Sequence, residues 1–176
     1  MAACRSSEAA AVEHAPIELE QTQRSTLARL AGPWRHVGGP QEQAAALQAV
    51  EQATTEMSAL IRGMARSRLE EAVRIDGTLS IEERQGIVTI TRSEQPQPFT
   101  APAHGREFEL QTADGDDARA SLRVDEHGVV ARVVTDQGGG ERTYRVDDQG
   151  QLVITSRTFS PRLPADVVFT ATYARP

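Results

Sequence analysis

The chain has 176 residues, a net charge of −6 and an apolar fraction of 39%, which fits a single globular domain. Aromatic residues make up only 4%, and the 19 basic residues, all arginine, form no cluster. A nucleic-acid partner is therefore not expected. No apolar run reaches the ~18 residues of a membrane-spanning helix.

The N-terminal residues resemble the lipobox of bacterial lipoproteins. Small residues, Ala2 and Ala3, precede Cys4, which is the one cysteine of the chain and excludes an intrachain disulfide. No charged and apolar signal-peptide regions stand before it. We expect the gene to encode an apolar region that ends at Ala3, and this region to have been removed here with Met1 added.

This resemblance implies that Cys4 carries the lipid and that the protein faces the periplasm in the bacterial cell envelope. Residues 1–26 contain few large apolar side chains, so we expect them to form a flexible tether. The only membrane contact expected is this lipid anchor. The alternative is a cytoplasmic protein in which Ala-Ala-Cys occurs by chance.

Residues 41–73 are predicted to form a helical segment. Pro40 suits the first position of a helix. Apolar residues then recur at spacings of three, four and seven, which indicates one apolar stripe. Gly63 is expected to bend or split the helix. Before this segment, a short helix is expected to dock on the domain through Ile17, Leu19, Leu27 and Leu30.

After Asp76-Gly77 the apolar pattern changes to a period of two, interrupted by turn sequences about every ten residues. We predict nine strands here, near Thr78, Ile87, Phe99, Arg106, Ala118, Val129, Glu141, Leu152 and Val167, and a tenth near Trp34 before the helix. The predicted fold is mainly β: residues 27–176 form an antiparallel up-and-down barrel of about 8–10 strands, with the helical segment as a lid between the first and second strands. The side chains expected to point into the barrel mouth are Leu47, Val50, Met57 and Ile61.

No motif for catalysis, phosphate binding or a cofactor occurs in the chain, so we expect a non-enzyme without a cofactor. The histidines lack metal-ligand spacing. Asp114, Asp116 and Asp117 resemble a calcium loop but have no glutamate at the required distance. No metal site is predicted.

Gly32-Pro33-Trp34 has the Gly-x-Trp form that opens the first strand of lipocalins and fatty-acid-binding proteins. The order of strand, helical segment and about nine strands resembles the fatty-acid-binding branch of these calycin folds. The sequences at 105–110 with Asp114-Gly115, and at 147–153, are similar to middle and late strands of that family. The resemblance spans Leu30 to Arg175.

The resemblance implies a carboxylate held by interior arginine and tyrosine side chains. Arg145 falls on one family arginine and Tyr173 on the tyrosine, whereas Ala171 stands where the second arginine is usual. A neutral lipid, or a carboxylate held by fewer charges, therefore suits this chain better. The alternative for Arg145 is a solvated side chain, if Tyr144 and Val146 face inward. His36 shares the parity of Trp34 and is a weaker candidate, with a satisfied core histidine as the alternative. Apolar contacts are expected to come from Phe108 and Phe169, together with Val88, Ile90, Leu110, Leu122 and Val133.

In lipocalins a C-terminal arginine packs over the first-strand tryptophan, which implies a structural Arg175–Trp34 contact of the cation–π type. Two functions remain open at this point. One is the binding or transport of a fatty acid or other apolar ligand. The other is a structural or interaction role for a barrel whose interior is filled.

Overall fold

The computed structural model describes residues 14–95, 97–112 and 115–176, so Cys4 and Asp114 lie outside the described residues. The described residues form one ten-stranded antiparallel sheet and three helices, two of which lie between the first and second strands, as predicted. In chain order the elements are α1 (Gln21–Leu30), β1 (Gly32–His36), α2 (Gly39–Thr54), α3 (Ala59–Ala72), β2 (Thr78–Arg84), β3 (Ile87–Arg92), β4 (Phe99–Pro102), β5 (Phe108–Gln111), β6 (Asp117–Asp125), β7 (Gly128–Thr135), β8 (Gly138–Val146), β9 (Leu152–Phe159) and β10 (Val167–Ala174).

The sheet curls into a half-barrel in which β1 joins β2 on one side and β10 on the other, and β4 and β5 form the edges. The chain between the two edge strands ties the barrel together. Ala103 N donates to the carbonyl oxygen of Gly86, the residue just before β3, at 3.0 Å, and Gly105 N donates to Leu122 O in β6 at 2.8 Å. Residues 103–105 therefore bridge the two sides of the sheet.

Trp34 and α1 fill one end of the barrel. Trp34 is only 1% exposed, and its indole Nε1 donates to Leu30 O at 2.8 Å. Leu27 and Leu30 of α1 belong to the same buried cluster as Trp34. This arrangement explains why a residue as large as tryptophan is tolerated at the start of β1: the helix supplies both its cover and its hydrogen-bond acceptor.

Residues 14–26 belong to the segment predicted as a tether, but the structure packs them on the barrel. Ile17 N donates to Gln85 O at 2.9 Å, and Ile17 and Leu19 pack against the main core cluster ahead of α1. Thr26, inside α1, is 7% exposed. The described part of the predicted tether is thus part of the folded domain, because its apolar side chains cover the Trp34 end.

The helical lid consists of α2 and α3, and it is broken at residues 55–58 rather than at Gly63, which lies within α3. Arg62 bridges the break. Its guanidinium donates to Thr55 O and to Met57 O, both at 2.7 Å. Thr55 is the C-cap residue of α2 and Met57 lies in the connection, so these bonds satisfy two carbonyl groups of the break itself.

Only part of the predicted apolar stripe of the lid faces inward. Val50 is 1% exposed, but Leu47 and Ile61 are 41% and 51% exposed, so their predicted inward orientation is wrong. Met57 is partly buried. The buried stripe of α2 runs through Ala46, Val50 and Ala53 and packs with Val167 and Phe169 of β10. Leu47 follows Ala46 by one residue and is therefore turned about 100° away from that face.

Candidate functional site

A small cavity lies where the cluster around Trp34 meets the cluster under the lid. Its volume is about 20 Å³, which is room for a single water molecule. Polar and apolar side chains share the lining, with the cationic ones on β3, β8 and the connection from α3 to β2. The lining residues are Arg74, Ile75, Asp76, Leu79, Arg92, Arg142, Tyr144, Ile154, Ser156, Phe169, Ala171 and Tyr173.

Asp76 and Arg92 form a buried ion pair at one side of the cavity. Arg92 Nε and Nη2 lie 2.7 and 2.6 Å from Asp76 Oδ2, and the two side chains are only 9% and 5% exposed. The other carboxylate oxygen accepts a hydrogen bond from Glu94 N at 3.0 Å. The carboxylate is therefore fully engaged by β3 and the residues after it, which fixes the connection between α3 and β2.

Arg92 nevertheless keeps one free donor. Its Nη1 is buried and has no hydrogen-bond partner among the described residues. A buried donor without a partner costs about 1–3 kcal/mol. This nitrogen belongs to a residue that lines the cavity.

Arg142 is the second cation of the cavity. It comes from β8, opposite Ser156 of β9, and its side chain is partly buried. Among the described residues it has no hydrogen-bond or salt-bridge partner, although Tyr144, Asp76 and Tyr173 act on its charge from a distance. Burial lowers the pKa of the Arg142 guanidinium, and the positive charge of Arg92 lowers it further. Arginine still stays protonated in a protein, so the interior carries a positive charge that lacks a counter-ion among the described residues.

Two tyrosines complete the polar part of the lining. Tyr173 on β10 donates its hydroxyl hydrogen to Asp76 O at 3.0 Å, which links the last strand to the α3–β2 connection. Burial raises the pKa of Tyr173, with a further contribution from Asp76, and burial also raises the pKa of Tyr144. Both phenols are therefore neutral donors rather than anions at ordinary pH.

Some of the predicted site residues line the cavity and others do not. Tyr173 and Phe169 line the cavity. Arg145 is exposed on the outer face of β8, so the prediction that it points into the barrel is wrong. The cation of β8 that faces inward is Arg142, which has the parity of buried Tyr144.

His36 and Phe108 lie away from the cavity. His36 Nε2 is 2.9 Å from Glu42 Oε2, and its ring meets the edge of Tyr173 at a centroid distance of 5.4 Å. It therefore ties β1 to the lid. Phe108 lies in β5 and is partly buried. The ring of His14 packs edge-on against it, with the ring centroids 4.7 Å apart and an interplanar angle of 77°. Both residues have packing partners that account for them without a ligand.

The N-terminal end of α2 is fixed to β10 by the same glutamate. Glu42 Oε2 accepts from Thr172 N at 2.8 Å and Oε1 accepts from Thr172 Oγ1 at 2.7 Å. Burial acts to raise the pKa of Glu42, but the hydrogen bonds from Thr172 and His36 outweigh it, so the pKa lies below its usual value. The ionised carboxylate is thus the form that holds the lid to the barrel.

Two features are absent from residues 14–95, 97–112 and 115–176. No cluster of three or more histidine, cysteine, aspartate or glutamate side chains there could hold a metal ion. No helix there has the length and apolar character needed to cross a membrane.

No family model matches the chain, and no curated protein does either. Solved structures do match its fold. A protein described as the REP1-NXSQ fatty acid transporter is 18% identical, with a TM-score of 0.51 over 85% of this chain and 97% of that one. Apo lipid binding protein 8 of Caenorhabditis elegans is 12% identical, with a TM-score of 0.54 over 85% and 96%.

The wild-type fluorescent protein UnaG is 15% identical, with a TM-score of 0.51 over 85% of this chain and 99% of that one. At these identities the likeness concerns the fold. The chain has the fatty-acid-binding-protein-like calycin fold, which confirms the resemblance seen in Gly32-Pro33-Trp34 and in the element order.

Proposed function

We propose that this protein binds an apolar ligand with a carboxylate head group, such as a fatty acid, and that the carboxylate pairs with Arg142. The observation that carries the proposal is Arg142, a partly buried side chain that lines the cavity and has no acidic partner within salt-bridge distance among the described residues. A buried charge is costly unless it is paired. A carboxylate would form a charge-assisted, two-point pair with a guanidinium, and Arg92 Nη1 offers a further donor beside it.

The apolar part of the lining would carry the chain of such a ligand. Leu79, Ile154 and Phe169 border the same cavity as the two arginines. Each buried methylene would contribute about 0.8 kcal/mol, so affinity should rise with chain length until the available space is filled. The fatty-acid and lipid-binding descriptions of the similar solved structures fit this ligand class.

A chain needs more room than the present 20 Å³, so binding requires the barrel to open. The helix α3 is the element best suited to move, because Leu69 is its only buried side chain. Elements with few buried apolar contacts open at low free-energy cost. In this opening α3 would move away from the barrel, while Glu42 holds α2 on β10.

The test is a calorimetric titration of decanoate and decanol against wild type, Arg142→Gln and Arg145→Gln. Arg142→Gln should weaken decanoate about tenfold to a hundredfold, the worth of a hydrogen bond to a charged group, and change decanol by less than about threefold. Arg145→Gln is the matched control, since it removes an arginine from the outer face of the same strand. Equal losses for acid and alcohol contradict the proposal.

The filled interior favours a second candidate. A small-molecule site usually has a volume of about 300–1,000 Å³, and the cavity here is far smaller. A barrel of this kind can act as a structural or interaction protein through its surface. Absence of saturable binding by decanoate and its longer homologues would leave this candidate as the better account.

For location, we propose that Cys4 anchors the protein in the bacterial cell envelope through a lipid. Two or more acyl chains anchor stably, whereas one chain is marginal. The docking of Ile17 and Leu19 on the barrel leaves the residues before position 14 to connect Cys4 to the domain. Mass spectrometry of the mature protein from its own host tests the proposal: an unmodified Cys4 or a gene without upstream apolar codons contradicts it.

A further inference from the structure

The charges that line the cavity do not balance. Asp76 and Arg92 form a closed pair, with both side chains more than nine-tenths buried. Arg142 adds one positive charge that no described side chain neutralises. Arg74 also borders the cavity, but its side chain is 63% exposed and lies 4.0 Å from Glu94, so solvent screens it. Arg142 is partly buried, so the cavity-lining groups other than Arg74 sum to a single positive charge.

This net charge determines which charge on a ligand head group the cavity can neutralise. A head group with one negative charge brings the enclosed site to neutrality. A head group with two negative charges leaves one in excess next to the Asp76 carboxylate, and like charges in a poorly solvated site repel strongly. Asp76 cannot turn away to relieve this repulsion, since Arg92, Glu94 N and the hydroxyl of Tyr173 hold the residue from three sides.

We infer that Asp76 is the specificity-determining residue of the cavity: by neutralising Arg92 permanently, it restricts the ligand to a monoanionic head group on Arg142 and excludes dianionic ones. The inference rests on the proposed function, because it concerns the charge of the ligand that binds there. It goes further by assigning to Asp76, whose carboxylate is held by Arg92 and Glu94 N, the selection between head groups of one shape and different charge.

The experiment compares decyl sulfate with decyl phosphate, which share a chain and a tetrahedral head group. At about pH 8 the phosphate is largely dianionic, since its second pKa is about 6, and the sulfate stays monoanionic. Both are titrated below the concentration at which they form micelles. Wild type should bind the sulfate at least about tenfold more tightly than the phosphate.

Asp76→Asn raises the enclosed charge to two and should shift the sulfate-to-phosphate ratio of affinities by at least about tenfold in favour of the phosphate. The same variant should gain more thermal stability from decyl phosphate than wild type does. Glu82→Gln is the matched control: it removes one negative charge from an exposed side chain of β2, and it should leave the ratio within about threefold of wild type.

A double variant separates charge from shape. Asp76→Asn combined with Arg92→Gln removes both members of the pair and restores a single enclosed positive charge, so it should regain the wild-type preference for the sulfate. The double variant can also be measured if Asp76→Asn alone does not fold, because it leaves no unpaired guanidinium at position 92. A double variant that prefers the phosphate overturns the inference.

The outcomes distinguish this inference from the proposed function. If wild type binds decanoate through Arg142 but binds decyl phosphate as well as decyl sulfate, or binds neither, the inference about Asp76 fails and the proposed function stands. An Asp76→Asn ratio equal to that of wild type also overturns the inference alone. If wild type binds neither decanoate nor decyl sulfate, both fail.

Discussion

The guanidinium of Arg175 lies over the indole ring of Trp34, 4.3 Å from the ring centroid. The same guanidinium donates to Ala31 O at 2.9 Å and to Arg29 O at 3.0 Å, which are carbonyls at the C-terminal end of α1. One side chain thus joins the end of the chain, the first strand and the first helix. The contact confirms what the family resemblance implied for these two residues.

Trp34→Ala should destabilise the protein by about 3–5 kcal/mol, the usual cost of removing a large aromatic side chain from a core. The indole is enclosed by Leu27 and Leu30 and donates to Leu30 O, so its loss leaves both a cavity and an acceptor without its donor. Urea unfolding measures the change. Wild-type fluorescence should be blue-shifted in the native state, and emission typical of water-exposed tryptophan would contradict the barrel end described above.

The number and order of the strands could be predicted from the sequence because most of the strands alternate apolar and polar residues. In β6, for example, the buried residues are Ala118, Ala120, Leu122 and Val124, and those between them are more exposed. Alternation of this kind identifies a strand and its inner face directly. Ten such segments separated by short turns leave few arrangements other than an antiparallel barrel.

The family resemblance points to Arg145 as the inner cation, and alternation in β8 is too weak to point to Arg142 instead. Its first three residues are glycines, and Glu141 to Thr143 are all polar. Since the faces of a strand exchange with every residue, an error of one position moves a side chain from the inside to the outside. Tyr144 and Val146 were the available signal: if these two face inward, Arg142 does too and Arg145 does not.

Asp76 could not be predicted as part of the site. It lies in the connection after α3, where no periodic pattern applies, and its partner Arg92 is 16 residues away in sequence. Arg92 did carry a signal, because it shares the parity of buried Val88 and Ile90. The pairing itself depends on how β2 and β3 align with the lid, which only the folded chain specifies.

Glu42→Gln should destabilise the protein by about 1–3 kcal/mol near neutral pH, because it weakens hydrogen bonds to a charged acceptor. The pKa of Glu42 is lower in the folded state than its ordinary value of 4.5. Its contribution is therefore fully present above about pH 4.5 and is lost as the pH falls through the folded pKa. Unfolding free energies of wild type and variant, measured across this range, should converge in acid.

The control for this experiment is Glu51→Gln on the same helix. Glu51 pairs with Arg66 at 2.6 Å, but its side chain is 66% exposed. An exposed pair contributes little, so the variant should stay within about 0.5 kcal/mol of wild type at every pH. A pH-independent difference between wild type and Glu42→Gln would show that the charge of Glu42 is not what holds α2 to β10.

Gly86→Ala should detach the N-terminal segment from the barrel. A Cβ at position 86 would overlap the backbone and side chain of Ile17, and the residue has φ +79°, which is strained for any side chain. Gly150 has nearly the same φ, +77°, with nothing near the added Cβ. Gly150→Ala therefore measures the backbone strain alone, about 1–2 kcal/mol.

The difference between the two glycine variants isolates the docking of Ile17. We expect Gly86→Ala to be destabilised more than Gly150→Ala in urea and to be cut faster by protease within residues 14–20. Equal unfolding free energies and equal cleavage rates would mean that Ile17 contributes nothing to the fold.

Arg142→Met should stabilise the ligand-free protein, by about 1–3 kcal/mol. The substitution replaces an enclosed charge that has no partner among the described residues with an apolar side chain of similar length, and such replacements often raise stability. Such a gain would show that Arg142 does not serve the fold, which agrees with a role in ligand binding. Arg145→Met, on the outer face of β8, should stay within about 0.5 kcal/mol of wild type. If Arg142→Met instead destabilises the protein while Arg145→Met does not, Arg142 serves the fold, and the case for a ligand carboxylate at this position loses its main support.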